Sequence, residues 1–326
     1  MTRFIASRVL QAILLILAVI VLNFLLIHLA PGDAAGAIAG SQGGSSPAQM
    51  AQIRHDFGLD KPLLVQLGSY LWQVLHGNFG YSFWMNSSVM DLVLPRLGAT
   101  LLLAVTGLLI GAFVGTLMGL YSAWKPRGIM SYVVTVVALV GFSAPAFWTG
   151  IMLVIIFAIW VPFFPTAGMQ SIIVPDGALN VVGDVAWHLV LPAFTLGIIY
   201  IALYARTGRA SMLEVLGSDY IRTAWAKGLR SRKVVFKHAF RNALIPLVTL
   251  AGLQVGSLIS SAILIEVVFN WPGIGRLALD SVSRRDTPVL LGILAMSAVL
   301  VIVANLITDI VYRIIDPRIS VKSEAS

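Results

Sequence analysis

The chain contains no cysteine, which excludes a disulfide, a thiolate metal site and a cysteine nucleophile. Charge is scarce. Asp, Glu, Lys and Arg make up 11% of the residues, against about 25% in an ordinary soluble domain. Acidic residues are the scarcest, 14 against 22 Lys and Arg, and no row of carboxylates within an apolar segment suggests a proton relay. The five histidines form neither an HExxH pattern nor a close pair, and a GxSxG nucleophile turn and a GxxxxGKS/T phosphate loop are both missing. Without a nucleophile–base pair or a metal set, the chain reads as something other than an enzyme, with no cofactor or metal of its own.

What is present is apolar: 58% of the residues are hydrophobic, in runs of about 20. Only helices and closed barrels satisfy the backbone in hydrocarbon, and runs of this length indicate an all-α integral membrane protein. Six spans are expected, over Val9–Ala30, Leu97–Ala123, Ile129–Trp160, Trp187–Arg206, Leu244–Val268 and Val289–Ile314. The first follows Arg3 and Arg8 as a signal peptide would, but it is long enough to span and no small-residue cleavage site follows. The third is long and carries Pro145 near its middle, so one kinked or tilted helix is expected there. With the N-terminus inside, sixteen Lys and Arg fall on the inner side and six on the outer. This asymmetry places both termini in the cytoplasm, and it accounts for the net charge of +8 without nucleic acid.

The expected organisation is a tail and first helix (1–30), an extracytoplasmic segment (31–96), a five-helix core (97–315) with a cytoplasmic loop (207–243), and a cytoplasmic tail (316–326). The extracytoplasmic segment should hold two short helices, Pro47–Phe57 and Pro62–His76, the second with one apolar face. Gly107, Gly111, Gly115 and Gly119 recur every four residues on one helix face. They permit close helix contact, inside the chain or at a subunit interface. Gly252, Gly256 and Ser260 repeat the theme. Polar residues within the spans are few: Asn23, His28, Gln254, Glu266, Asn305 and Asp309. Glu266 and Asp309 lie near span ends, where structural pairing explains them. His188, beside Trp187 at a span boundary, reads as a satisfied interfacial histidine.

The long charged run lies between the fourth and fifth spans, from Glu214 to Pro246. Arg and Lys at a bilayer centre cost roughly 2.5–3.5 kcal/mol each, so this run belongs outside the hydrocarbon. Glu214 to Gly228 has helical spacing, Gly228 is a natural left-handed terminator, and a second, basic helix should start at Ser231 and run into Pro246. A helix–Gly–helix hairpin of this kind can dock in a groove on a partner. The same composition also suits a polybasic loop lying on lipid.

Tyr220-Ile-Arg-Thr-Ala-Trp-Ala-Lys-Gly-Leu229 and His238-Ala-Phe-Arg-Asn-Ala-Leu-Ile-Pro246 resemble the cytoplasmic loop of ABC-importer permeases of the peptide/nickel branch. The family pattern of Glu-Ala-Ala, three residues, then Gly has Arg222-Thr223-Ala224 and Gly228 here, so a salt bridge made by that Glu elsewhere is not implied. Ala30-Pro-Gly-Asp33, Gly77-Asn-Phe-Gly-Tyr-Ser82 (with Asn78 where Asp is common), Glu266 through Gly275, and Asp316-Pro-Arg318 extend the likeness along the chain. It is most similar to the dipeptide or oligopeptide B-type permease subunit. The resemblance implies a type I importer permease: a translocating subunit of the bacterial inner membrane, paired with a second permease, two ATPase subunits that hold ATP and Mg, and an extracytoplasmic binding protein. It further implies that Tyr220, Ile221, Arg222, Thr223, Ala224, Trp225, Lys227 and Gly228 couple the chain to an ATPase. Short peptides are the expected substrate and nickel the alternative. A secondary transporter driven by an ion gradient is the reading of another class. It would call for inverted repeats and midplane ligands, and neither is evident.

Overall fold

The structure, a computed structural model, describes residues 2–29, 60–82, 84–173 and 176–315. Eleven helices are found among the described residues: α1 (Thr2–Leu29), α2 (Leu63–Leu75), α3 (Val89–Trp124), α4 (Ile129–Ser143), α5 (Ala146–Trp160), α6 (Ala178–Leu216), α7 (Asp219–Ala226), α8 (Ser231–Gln254), α9 (Leu258–Val268), α10 (Ile274–Arg284) and α11 (Thr287–Ile315). Tyr81–Ser82 and Ser87–Ser88 pair as a small antiparallel hairpin, β1 and β2. Among the described residues, five helices are long and apolar enough to cross a membrane: α3, α6, α8, and the stretches Ala6–Leu26 of α1 and Thr287–Leu306 of α11. The chain is an all-helical membrane protein, as its composition requires.

Several boundaries differ from expectation. The third span is broken, not merely kinked: α4 ends at Ser143 and α5 restarts after Pro145, whose φ of −60° and ψ of 135° are extended. Ala144 precedes a proline and is disfavoured in the α region, so two 15-residue pieces replace one long helix. The fifth span divides at Gly256–Ser257, where the Ser257 hydroxyl donates to the Gln254 carbonyl at 3.0 Å and α9 begins anew. The second and fourth spans belong to longer helices, because polar end turns leave no trace in hydropathy. The connection between the fifth and sixth spans contains α10. The expected helix Pro47–Phe57 and the Ala30–Asp33 and Asp316–Arg318 motifs lie outside the described residues.

The chain forms two compact units. The first comprises Met1–Gly98 and Leu277–Ile314. In it the buried Asn23 amide donates to the Leu291 carbonyl at 3.2 Å, and His28 Nε2 bonds Gln66 Oε1 at 3.0 Å, tying α1 to α11 and to α2. The Gly77–Ser82 motif explains itself here. Gly77 and Gly80 hold φ of 79° and 102°, and the Asn78 side chain accepts from the Gly80 amide at 3.0 Å. Either an Asn or an Asp oxygen can fill that role. The turn delivers Ser82, fully buried, whose hydroxyl donates to the Asp286 carboxylate.

The second unit, Ala99–Arg276 with the C-terminal residues, holds two hydrophobic clusters. One centres on Leu103, Leu196, Tyr204, Ile265, Phe269 and Trp271. The other comprises Leu120, Ala123, Met212, Ile221, Ala224, Val234, Val235, Ala239 and Ala243. The second cluster positions the candidate site.

Candidate functional site

The site begins with a helix break. The expected continuous helix from Glu214 to Gly228 is interrupted at Gly217–Ser218. Gly217 closes α6 through bonds from its amide to the Leu213 and Glu214 carbonyls, and Ser218 then turns extended, with ψ of 153°. The Ser218 carbonyl accepts the first amides of α7, from Ile221 and Arg222 at 3.2 Å. Asp219 in the first turn suits the positive end of the helix dipole.

Gly228 ends α7 as its sequence predicts. Its φ is +72°, its amide donates to the Trp225 carbonyl at 2.9 Å, and the Leu229 amide reaches the Ala224 carbonyl at 3.4 Å. This pair of bonds is a Schellman motif, and Leu229 packs on the same apolar cluster as Ala224. The second helix of the hairpin, α8, starts at Ser231. It contains a π-helical turn at Val234–Ala239 that buries Val234, Val235 and Ala239 while Phe236 and Lys237 stay exposed.

The eight predicted coupling residues divide into two sets. Ile221 is fully buried and Ala224 nearly so, and together they form the inner face of α7. They sit on Leu120 and Ala123 of α3, Met212 of α6 and the buried residues of α8. Arg222, Thr223 and Lys227 are exposed, as is Ala226. The Arg222 guanidinium lies 3.3 Å from the Asp219 carboxylate in a solvent-exposed pair, an interaction of small energetic weight. Tyr220 and Trp225 flank the buried face, and the Tyr220 hydroxyl accepts from the Asn242 amide of α8 at 2.9 Å. The apolar pair therefore supports the helix, and the polar face is presented outward.

The glycine row leads inward from this platform. All four glycines face α6: Gly107 lies against Leu196, Gly111 against Tyr200 and Gly197, Gly115 against Ile201 and Tyr204, and Gly119 against Ala205 and Arg209. A Cβ at Gly115 would stand 2.7 Å from the Ile201 carbonyl oxygen, so side chains there would force α3 and α6 apart. The Ser211 hydroxyl donates to the Ala243 carbonyl at 3.0 Å, joining α6 to α8. α7 is thus seated on three long helices, α3, α6 and α8.

Sequence reasoning left Glu266 as a paired group without a partner. The structure places this buried carboxylate at the start of α10. Oε1 accepts from the Thr100 hydroxyl at 2.6 Å, and Oε2 accepts from the Gly275 amide at 2.7 Å and the Arg276 amide at 3.3 Å. The Thr100 hydroxyl oxygen accepts from the Ile274 amide at 2.9 Å, and the buried Trp271 indole donates to the Ala99 carbonyl at 2.8 Å. Gly273 and Gly275 leave room for the carboxylate, since a Cβ at Gly273 would overlap it. A signal was available in the two glycines of the Pro-Gly-Ile-Gly run, which can fold a backbone onto a preceding side chain.

The remaining polar residues are local. His188 is buried beside Asp184, which accepts from both the amide and the hydroxyl of Ser171 at 2.7 and 2.6 Å. Gln254 Oε1 accepts from the Ser257 hydroxyl, and Asn305 is exposed. The Asp309 side chain lies outside the described residues.

Two family models match the chain. Residues 115–321 match the binding-protein-dependent transport system inner membrane component, and residues 1–104 match the N-terminal membrane component of the same kind of system. The chain is 38% identical to the dipeptide transport system permease protein DppB of Escherichia coli K12, across 98% of this chain and 99% of that protein. It is 39% identical to the di/tripeptide transport system permease protein DppB of Pseudomonas aeruginosa and 37% identical to the oligopeptide transport system permease protein AppB of Bacillus subtilis, again across 98% and 99%. The two-faced helix, the long apolar helices and these matches over nearly the whole length lead to one assignment: the chain belongs to the inner membrane components of binding-protein-dependent transport systems.

Proposed function

We propose that this chain is the permease subunit of an ATP-driven importer of short peptides, and that α7 is the lever on which an ATPase subunit acts. The peptide substrate rests on full-length similarity to relatives named as dipeptide, di/tripeptide and oligopeptide permeases. The lever rests on one observation: the inner face of α7 is locked by Ile221 and Ala224 to three long helices, while Arg222, Thr223, Ala226 and Lys227 on its outer side are exposed among the described residues. A second permease completes the path, two ATPases lie on the side of the basic loop 207–243, and a binding protein docks on the opposite side. Both termini lie with the basic loop in the cytoplasm, in accord with the distribution of Lys and Arg.

Mechanically, ATP-driven closure must favour one arrangement of the helices by differential contact energy. A helix seated on its own apolar platform transmits displacement; one hinged on a flexible loop would absorb it. Arg222 and Lys227 orient the outer face by charge, and the Gly228 terminator sets the angle at which the chain returns into α8.

The test is uptake of a radiolabelled dipeptide by the reconstituted transporter with its binding protein, measured alongside ATP hydrolysis. Ala224→Asp and Gly228→Pro should each lower uptake at least tenfold and abolish the stimulation of hydrolysis by loaded binding protein. Full coupled uptake in both variants rules out the lever, and uptake of Ni²⁺ in place of dipeptide replaces the substrate.

A further inference from the structure

Beside the cluster that carries α7 lies a half-open apolar cavity of about 390 Å³. Its walls include Leu117, Tyr121 and Trp124 from the last turns of α3, Met212 of α6, and Phe236 and Phe240 at the π-helical turn and just after it. The size is that of a ligand pocket, yet the lining lacks the few convergent polar groups that a soluble metabolite needs.

The rim differs from the walls. α3 ends at Trp124, and Lys125, Pro126 and Arg127 follow, all exposed. The Lys125 ammonium stands 5.7 Å from the Tyr121 ring centre and 5.5 Å from that of Trp124, so it lies over two rings that line the cavity. Phe236 is 57% exposed and Tyr121 42%, at the end of a membrane-length helix, where aromatic side chains mark the bilayer interface. The stretches 117–130 and 227–246, which supply most of the lining, hold eight Lys and Arg and no Asp or Glu. An apolar slot with Lys125 over its aromatic wall and two basic stretches supplying most of its lining is complementary to an anionic amphiphile.

We propose that this cavity binds an anionic phospholipid, with an acyl chain in the slot and the headgroup phosphate at Lys125. Leu120 and Val235 give the site a consequence. Both line the cavity and both belong to the cluster that carries Ile221 and Ala224. An acyl chain there completes the packing beside the lever, so lipid composition adjusts how firmly α7 is held. That consequence rests on the lever proposed above; the binding itself does not.

The experiment uses the transporter purified through a tag on this chain, placed in nanodiscs of equal phosphatidylglycerol and phosphatidylcholine, and released for native mass spectrometry. The wild type should retain phosphatidylglycerol in preference to phosphatidylcholine. Leu117→Trp, which fills the slot, and the surface change Lys125→Ala, which leaves the packing intact, should each lower phosphatidylglycerol retention severalfold in a complex of unchanged subunit composition. Equal retention of the two lipids, or undiminished retention in Lys125→Ala and Leu117→Trp, overturns the proposal. So does efficient crosslinking of Phe236→Cys to a second permease, which would assign the slot to protein. Because the readout is bound lipid and not uptake, its failure leaves the peptide-permease reading standing, and failure of that reading leaves the lipid result standing.

Discussion

The helix Asp219–Ala226 and the turn Glu266–Arg276 handle charge in opposite ways. In the helix and at its C-cap the charged residues Asp219, Arg222 and Lys227 all face solvent, and the apolar Ile221 and Ala224 are spent on attachment. In the turn the charge itself is the attachment: Glu266 is fully buried and accepts bonds from Thr100, Gly275 and Arg276. The contrast shows how to weigh a charged residue in a membrane protein. A buried carboxylate whose bonds are met within its own chain is structural; exposed charges on a rigidly mounted helix are available to another chain.

The contrast breaks most visibly at Glu266. Glu266→Ala leaves two buried donors, the Thr100 hydroxyl and the Gly275 amide, and the partly buried Arg276 amide without their acceptor, each buried one worth about 1–3 kcal/mol. A fall of roughly 3 kcal/mol or more is expected, read as a lower unfolding midpoint in detergent and poor recovery from the membrane. An unchanged midpoint would mean that the turn is held by other contacts. Gly111→Leu comes next. It thrusts a side chain into Tyr200 and Gly197 of α6, and overpacking of this kind costs about 1–3 kcal/mol; loss of thermal stability with disturbed assembly should follow. Gly228→Ala is milder, because its φ of +72° strains a residue bearing a Cβ by about 1–2 kcal/mol while open space surrounds the position. A modest fall in stability with partly reduced coupling is expected. Arg222→Ala sharpens the comparison from the other end. Its pair with Asp219 is exposed, so stability should move by less than about 0.5 kcal/mol, whereas stimulated ATP hydrolysis should fall severalfold.

Much of this was legible in the sequence, and the exceptions share a cause. The apolar runs, the Gly228 terminator and the helix start at Ser231 are local signals that composition and spacing carry. The spacing of Gly107, Gly111, Gly115 and Gly119 defined a face, but only the structure shows that the face meets α6. The break at Gly217–Ser218 was missed because apolar residues keep helical spacing on both sides of it. The π-helical turn at Val234–Ala239 shifts the hydrogen-bond pattern by one residue and has no compositional mark. Glu266 could not be placed by periodicity, because its partners come from a turn that folds back over it and from Thr100, far away in sequence.

The account's central claim is that α7 presents its polar face to an ATPase and its apolar face to its own chain. Site-directed crosslinking tests it directly, with cysteine introduced singly at Ala226 on the exposed face and at Ala224 on the buried one, in a chain that has no cysteine of its own. The account predicts that Ala226→Cys crosslinks to the ATPase subunit, with a yield that changes on ATP binding, and that Ala224→Cys does not. Crosslinking through Ala224→Cys with none through Ala226→Cys would contradict it.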